Sequence, residues 1–196
     1  MRRRDRQGDS EMVFFTADLH LGNEGVLEKR HRPFSSVAEM NACLIENFNR
    51  TVAPEDTVYL LGDICQDMPE EEANALIGRM NGRRILLRGN HDLRYDPALF
   101  VRTEDFLMTD LGGRRFVLSH YPMIDWPMRK EGGIHIHGHL HTSAACNLNN
   151  RKAGWFRYDA GVDANDFRPV SLAAILCFYE GRPWHTGPCQ TEDSAL

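Results

Sequence analysis

The sequence predicts an α/β domain built on a mixed sheet, and three observations predict it. Short runs of Val, Ile, Leu and Phe recur along the chain at the length of buried strands. In the first half they alternate with segments of helical period, the order expected of parallel strands joined by crossovers. In the second half turns replace the helices, and throughout the chain most runs stop abruptly at an Asp, an Asn or a His.

Met12 to Ala17 opens the series as a strand buried on both faces and delivers Asp18 at its end. After a Gly-bearing loop at Leu21-Gly22-Asn23-Glu24-Gly25, Ser35 or Ser36 reads as a helix N-cap, with Glu39 three residues beyond Ser36 completing a capping box. Val37, Met40, Leu44, Ile45 and Phe48 form one apolar stripe, and this helix is expected to end before Pro54. Thr57 to Leu61 is the second strand, closing on Gly62-Asp63. Glu70 to Met80 is the next helix, with Pro69 at its first turn, Glu70, Glu71 and Glu72 near its positive end and Gly82 beyond it. Arg84 to Arg88 is the third strand, closing on Gly89-Asn90-His91. Phe106 to Asp110 and Arg115 to Ser119 form a hairpin around Gly112-Gly113, with His120 directly after it. Ile134 to Gly138, Gly154 to Ala160 and Leu172 to Tyr179 read as further strands, so the second half is expected to hold strands without helices.

The 196 residues suit one domain, expected over residues 12–185 between tails at 1–11 and 186–196. Hydrophobic residues make up 42% and charged residues 26%, and no apolar run approaches the roughly 20 residues of a membrane span, so no membrane partner is expected. A net charge of -5 gives no general attraction to a polyphosphate backbone, and a nucleic acid is not the expected partner. The cysteines Cys43, Cys65, Cys146, Cys177 and Cys189 lack C-x-x-C spacing and, with the absence of an apolar stretch after the basic Met1 to Arg6 segment, point to a cytoplasmic setting.

The chemistry lies at the strand ends. Asp18, Asp63, Asn90, His120 and His139 each follow an apolar run, and ligands bind α/β sheets outside the carboxyl ends of their strands. Imidazoles, carboxylates and one amide, without thiolate, suit Mn, Fe, Zn, Co or Ni. The alternating Gly133-Ile134-His135-Ile136-His137-Gly138-His139-Leu140-His141 also invites comparison with the H-x-H-x-D-H zinc motif of metallo-β-lactamases, but Leu140 stands where that motif needs Asp. His137 is expected beside the site and His135 partly buried.

Read in order, Asp18-Leu19-His20, Gly62-Asp63, Gly89-Asn90-His91-Asp92, the lone His120 and Gly138-His139-Leu140-His141 form a pattern that resembles the calcineurin-like metallophosphoesterases across residues 12 to 180. The resemblance implies a four-layer α/β/β/α sandwich of two mixed sheets, here without an insertion large enough for a cap domain. It implies two divalent transition-metal ions, manganese first among them, with Asp18, His20 and His141 on one, Asn90, His120 and His139 on the other, and Asp63 bridging. It further implies that His91 assists the leaving oxygen while a metal-bridging hydroxide attacks the phosphorus, and Asp92 is expected to accept a hydrogen bond from His91. Asn90, His31 and Arg32 are the candidates for contact with substrate phosphate, Arg94 and Arg129 weaker ones, and Asp163 and Asn165 are expected to order the loop after the last motif. The function expected is hydrolysis of a small phosphate ester, a phosphodiester before a phosphomonoester or a phosphoprotein, with a slow metal-binding scaffold as the contrasting class.

Overall fold

The computed structural model describes residues 11–181, and the helix-and-strand half forms its first sheet. Strands β1 (Val13–Thr16), β2 (Thr57–Leu60) and β3 (Arg83–Leu87) lie parallel and adjacent, with Phe15, Tyr59 and Ile85 in register. A three-residue strand, β4 (Arg102–Glu104), extends the parallel set beyond β3, and β9 (Val170–Ser171) closes the other edge antiparallel to β1. The order is therefore β4-β3-β2-β1-β9.

The second sheet has the order β5-β6-β7-β8. The expected hairpin is β5 (Phe106–Leu111) with β6 (Arg114–Ser119), and β7 (Ile134–His137) and β8 (Arg157–Asp159) continue it in parallel. Between the sheets, Phe15, Tyr59, Ile85 and Leu87 meet Phe116, Leu118, Ile134 and Ile136. The alternate residues of the first sheet, Phe14, Val58, Leu60 and Leu86, face a second core under helices α2 (Val37–Thr51) and α3 (Glu70–Gly78). Both faces of that sheet are thus buried, which is why its strands read as unbroken apolar runs. Buried Met40, Leu44, Ile45 and Phe48 form the inner stripe of α2, each contributing about 2 kcal/mol of burial. Ser36 caps that helix through the Glu39 amide, and the Glu39 carboxylate returns to the Ser35 amide at 2.7 Å.

On the outer face of the second sheet the residues alternating with Ile134 and Ile136 are His135 and His137, both buried, with Val117 beside His135. Helix α4 (Ala144–Lys152) covers part of that face, with Asn147 bonded to both the amide and the carbonyl of Asp159 at 2.8 and 2.9 Å. Helices on one sheet and α4 on the other complete the α/β/β/α layering.

Several expectations are corrected here. Leu172 to Tyr179 is a helix, α5 (Leu172–Tyr179), not a strand; only Val170 and Ser171 pair, and the Ser171 hydroxyl accepts from the Ala174 amide at 3.1 Å to start the turn. A continuous apolar run has no period with which to separate strand from helix, and Leu and Ala favour the latter. The second half consequently contains helices: α4 was hidden because it buries Asn147 instead of an apolar stripe. The loop after Asp18 also holds a short helix, α1 (Glu24–Lys29), capped by the Asn23 side chain on the Val26 amide. Of the expected tails, residues 1–10 and 186–196 lie outside the described residues. Glu11 is not loose: it pairs with Arg83 at 3.3 Å and accepts from the Thr57 hydroxyl.

Candidate metal centre

Two groups of donors stand at the carboxyl ends of the strands, Asp18 with His20 and His141, and Asp63 with His120 and His139, the donor atoms of each group lying within 4.8 Å of one another. Asp18 follows β1, Asp63 follows β2, His120 follows β6, and His139 and His141 follow β7. Asp18, His20, Asp63, His139 and His141 all have left-handed backbone, with φ of 58°, 49°, 55°, 73° and 51°. That conformation costs on the order of 1 kcal/mol or more for a residue with a Cβ. It bends the chain back as it leaves the sheet, so that successive side chains converge. Close packing of the turns explains two glycines: a Cβ on Gly62 would lie 2.6 Å from both the Gly89 amide and His120 Nδ1, and one on Gly138 would lie 2.5 Å from the Ala17 side chain.

Each buried imidazole is oriented by its far nitrogen. His20 Nδ1 lies 2.8 Å from the Gln66 side-chain oxygen, His141 Nδ1 2.8 Å from Asp163, and His120 Nδ1 2.8 Å from the Leu61 carbonyl. Those acceptors fix the proton on Nδ1 and leave Nε2 as a lone pair aimed into the cluster. There His20 Nε2 and His141 Nε2 face each other at 3.2 Å, and His120 Nε2 stands 3.2 Å from His139 Nδ1 and 3.1 Å from Asn90 Oδ1. Acceptors turned on acceptors repel unless a cation lies among them. The residues therefore fit divalent transition metals, and the neutral imidazoles and hard oxygens suit the borderline ions best.

The electrostatics of the donors are mixed. Burial pushes the Asp18 carboxyl up to about 7, although its two oxygens accept the His139 amide at 3.0 and 2.8 Å. Burial also lowers His20 to about 4, keeping its imidazole neutral and able to coordinate. Burial opposes ionisation of Asp63, but the neighbouring His120 imidazole and the His91 amide hold its carboxyl at about 2. Its Oδ2 lies 3.5 Å from His20 Nε2 and 3.4 Å from His120 Nε2, between the two groups.

Other site candidates fall elsewhere. Arg32 does not face the cleft: it is buried, with its guanidinium bonded to Asp163 at 2.8 and 2.9 Å and to the carbonyls of Asp18 and Leu19 at 2.7 and 2.8 Å. The expected phosphate contact is thus a brace, and the loop-ordering role of Asp163 extends to gripping His141. Burial works against the Asp163 charge, yet His141 and Arg32 hold its carboxyl at about 2. Asp92 likewise does not serve His91. It accepts the amides of Asp63, Ile64 and Gly89 at 3.0, 2.8 and 2.7 Å and the Tyr95 hydroxyl at 2.9 Å, stapling the Asp63 turn to the Asn90 turn. Arg129 lies 3.9 Å over the Trp155 ring, and Arg94 is exposed.

His91 and Asn90 are exposed at the mouth, the His91 ring 5.5 Å edge-on from His20, and His31 is exposed with φ 51°. His135 is fully buried, not partly, its Nδ1 3.0 Å from the Val117 carbonyl and its Nε2 3.0 Å from the Met123 amide. His137 lies buried under the second group with Nδ1 2.8 Å from the Gly138 carbonyl. Among the contacts that sequence reasoning missed, Gln66 and Asp92 carry a faint signal: each stands a few residues past a motif with a side chain able to reach back.

Residues 12–188 match the calcineurin-like phosphoesterase family. The chain belongs to the calcineurin-like phosphoesterases. It is 31% identical over 172 residues to an uncharacterized protein of Methanocaldococcus jannaschii, covering 86% of this phosphoesterase and 91% of the relative. The crystal structure of a protein of unknown function from Aquifex aeolicus superposes with a TM-score of 0.67 at 26% identity, covering 85% of this chain and 98% of that one. This phosphoesterase is a metal-dependent hydrolase of phosphate esters, and among its described residues no helix is long and apolar enough to cross a membrane.

Proposed function

We propose that the protein hydrolyses a phosphodiester on a two-metal centre, with Asp18, His20 and His141 holding one ion, Asn90, His120 and His139 the other, and Asp63 shared. The observation that carries this reading is the position of Asp63 Oδ2, at 3.5 and 3.4 Å from an imidazole of each group. A pair of divalent cations, manganese before iron, zinc, cobalt or nickel, supplies when bound an acidified water and compensation for charge on phosphoryl oxygens.

The chain's own residues do the rest. Gln66, Asp163 and the Leu61 carbonyl hold the imidazoles in the coordinating tautomer, and the Asp92 staple sets the distance between the Asp63 and Asn90 turns. His91, exposed at the mouth, donates a proton to the departing ester oxygen, a contribution worth roughly 10²–10⁴ in rate for a poor leaving group. With Arg32 turned inward, the mouth loses a guanidinium for the second charge of a monoester dianion, which favours the singly charged diester.

The test is hydrolysis of bis(p-nitrophenyl) phosphate beside p-nitrophenyl phosphate by manganese-loaded protein, with His91→Ala as control. The diester is expected to turn over faster, with kcat lower by about 10² or more in the variant and metal content unchanged. Preference for the monoester, or an unimpaired variant, would sink the diester reading or the role of His91 respectively.

A further inference from the structure

Tyr121 is the residue after His120, and its ring lies against the second donor group: 5.0 Å from the His120 ring and 4.8 Å from the His139 ring, edge-on to each. Nearly half of it, 49%, remains exposed. A large aromatic side chain at such a place is either packing for the imidazoles or a surface for something else. Packing alone would not require the ring to stay exposed, and Leu140, between the two histidines of the last motif, is 40% exposed as well. The backbone here is pinned on both sides: the Tyr121 carbonyl accepts the Ser119 hydroxyl at 2.8 Å, and the Met123 amide bonds His135 at 3.0 Å. A pinned aromatic ring loses little entropy when a flat group settles on it.

We propose that Tyr121 is a substrate-contacting residue, an aromatic shelf on which a planar substituent of the phosphate ester, an aryl ring or a nucleobase, stacks while the phosphate lies at the metal centre. This rests on the phosphoesterase site read above and narrows its substrates to esters carrying such a ring. The ring faces the group of Asp63, His120 and His139, whereas His91 stands beside His20 of the other group, so the mouth has an apolar side and a proton-donating side.

The experiment is calorimetric binding of two inert phosphonates, phenylphosphonate and methylphosphonate, to the manganese-loaded protein, at a pH where both are fully ionised and with no turnover required. Wild type is expected to bind the phenyl compound about five- to a hundredfold more tightly, the range that stacking of a base on an aromatic side chain covers. Tyr121→Phe should keep that ratio. Tyr121→Ala should bring it close to one, with methylphosphonate affinity, metal content and melting temperature as in wild type. A ratio near one in wild type, or equal loss of both phosphonates in Tyr121→Ala, would overturn the shelf and leave Tyr121 a packing partner of His139. Failure of both phosphonates to bind protein that holds its manganese would overturn the shelf, whereas the metal-centre reading stands or falls separately on metal content and turnover of bis(p-nitrophenyl) phosphate.

Discussion

The two donor groups use similar side chains but are built differently. In the first, His20 and His141 are held by the side chains of Gln66 and Asp163, and Asp163 is itself gripped by buried Arg32, which also ties down the Asp18 and Leu19 carbonyls. In the second, His120 is held by a backbone carbonyl, His139 is partly exposed and Asn90 lies at the surface. The first group is a braced pocket bound to distant parts of the chain; the second is a more open rim. The difference predicts that the first group governs retention of metal and stability, and the second governs access.

The strongest way to break that contrast is Arg32→Met. Removing the guanidinium leaves the Asp163 carboxylate and two buried carbonyls without their partner, and urea unfolding should show a loss of about 3–5 kcal/mol. A loss below about 1 kcal/mol would mean the brace is dispensable. Next in size, Asp163→Asn weakens the acceptor that orients His141. Chelator competition should show one of two ions bound about 10–100-fold more weakly and the other unchanged; equal weakening of both would show that the groups act as one.

The smallest effect concerns the buried His135 of β7. Burial holds His135 at about 3, far below the 6.5 of an unfolded chain. Above pH 6.5 the imidazole is neutral in both states and stability is full. As pH falls the unfolded state takes up the proton and the folded state does not until about pH 3, so stability is lost through that window. Between pH 6.5 and 5.5 this amounts to about 1 kcal/mol. Urea titrations at the two pH values should show it, with a shallower loss in His135→Asn; an identical slope would place the acid sensitivity elsewhere.

The contrast also explains what the sequence made legible. Asp18, Asp63, His120 and His139 are legible because each follows an apolar run, and His20 and His141 because each stands two residues beyond one of them. Arg32 and Asp92 were misread because their partners are remote or unmarked: Arg32 meets Asp163 across 131 residues, and Asp92 bonds backbone amides, which carry no sequence signature. In the fold, α2 announced itself through its cap and stripe, whereas α5 is apolar on every side and α4 packs through Asn147. Where periodicity is absent, only tertiary contact decides the element.

The left-handed turns at Asp18, His20, Asp63, His139 and His141 have a bearing on how this protein evolves. A population selected only for heat resistance, with no demand for catalysis, would drift toward glycine at those corners, because that change releases backbone tension and a buried lone pair at once. Survivors of such a screen would be sturdier and inert. A laboratory search for robust variants therefore has to keep turnover among its criteria.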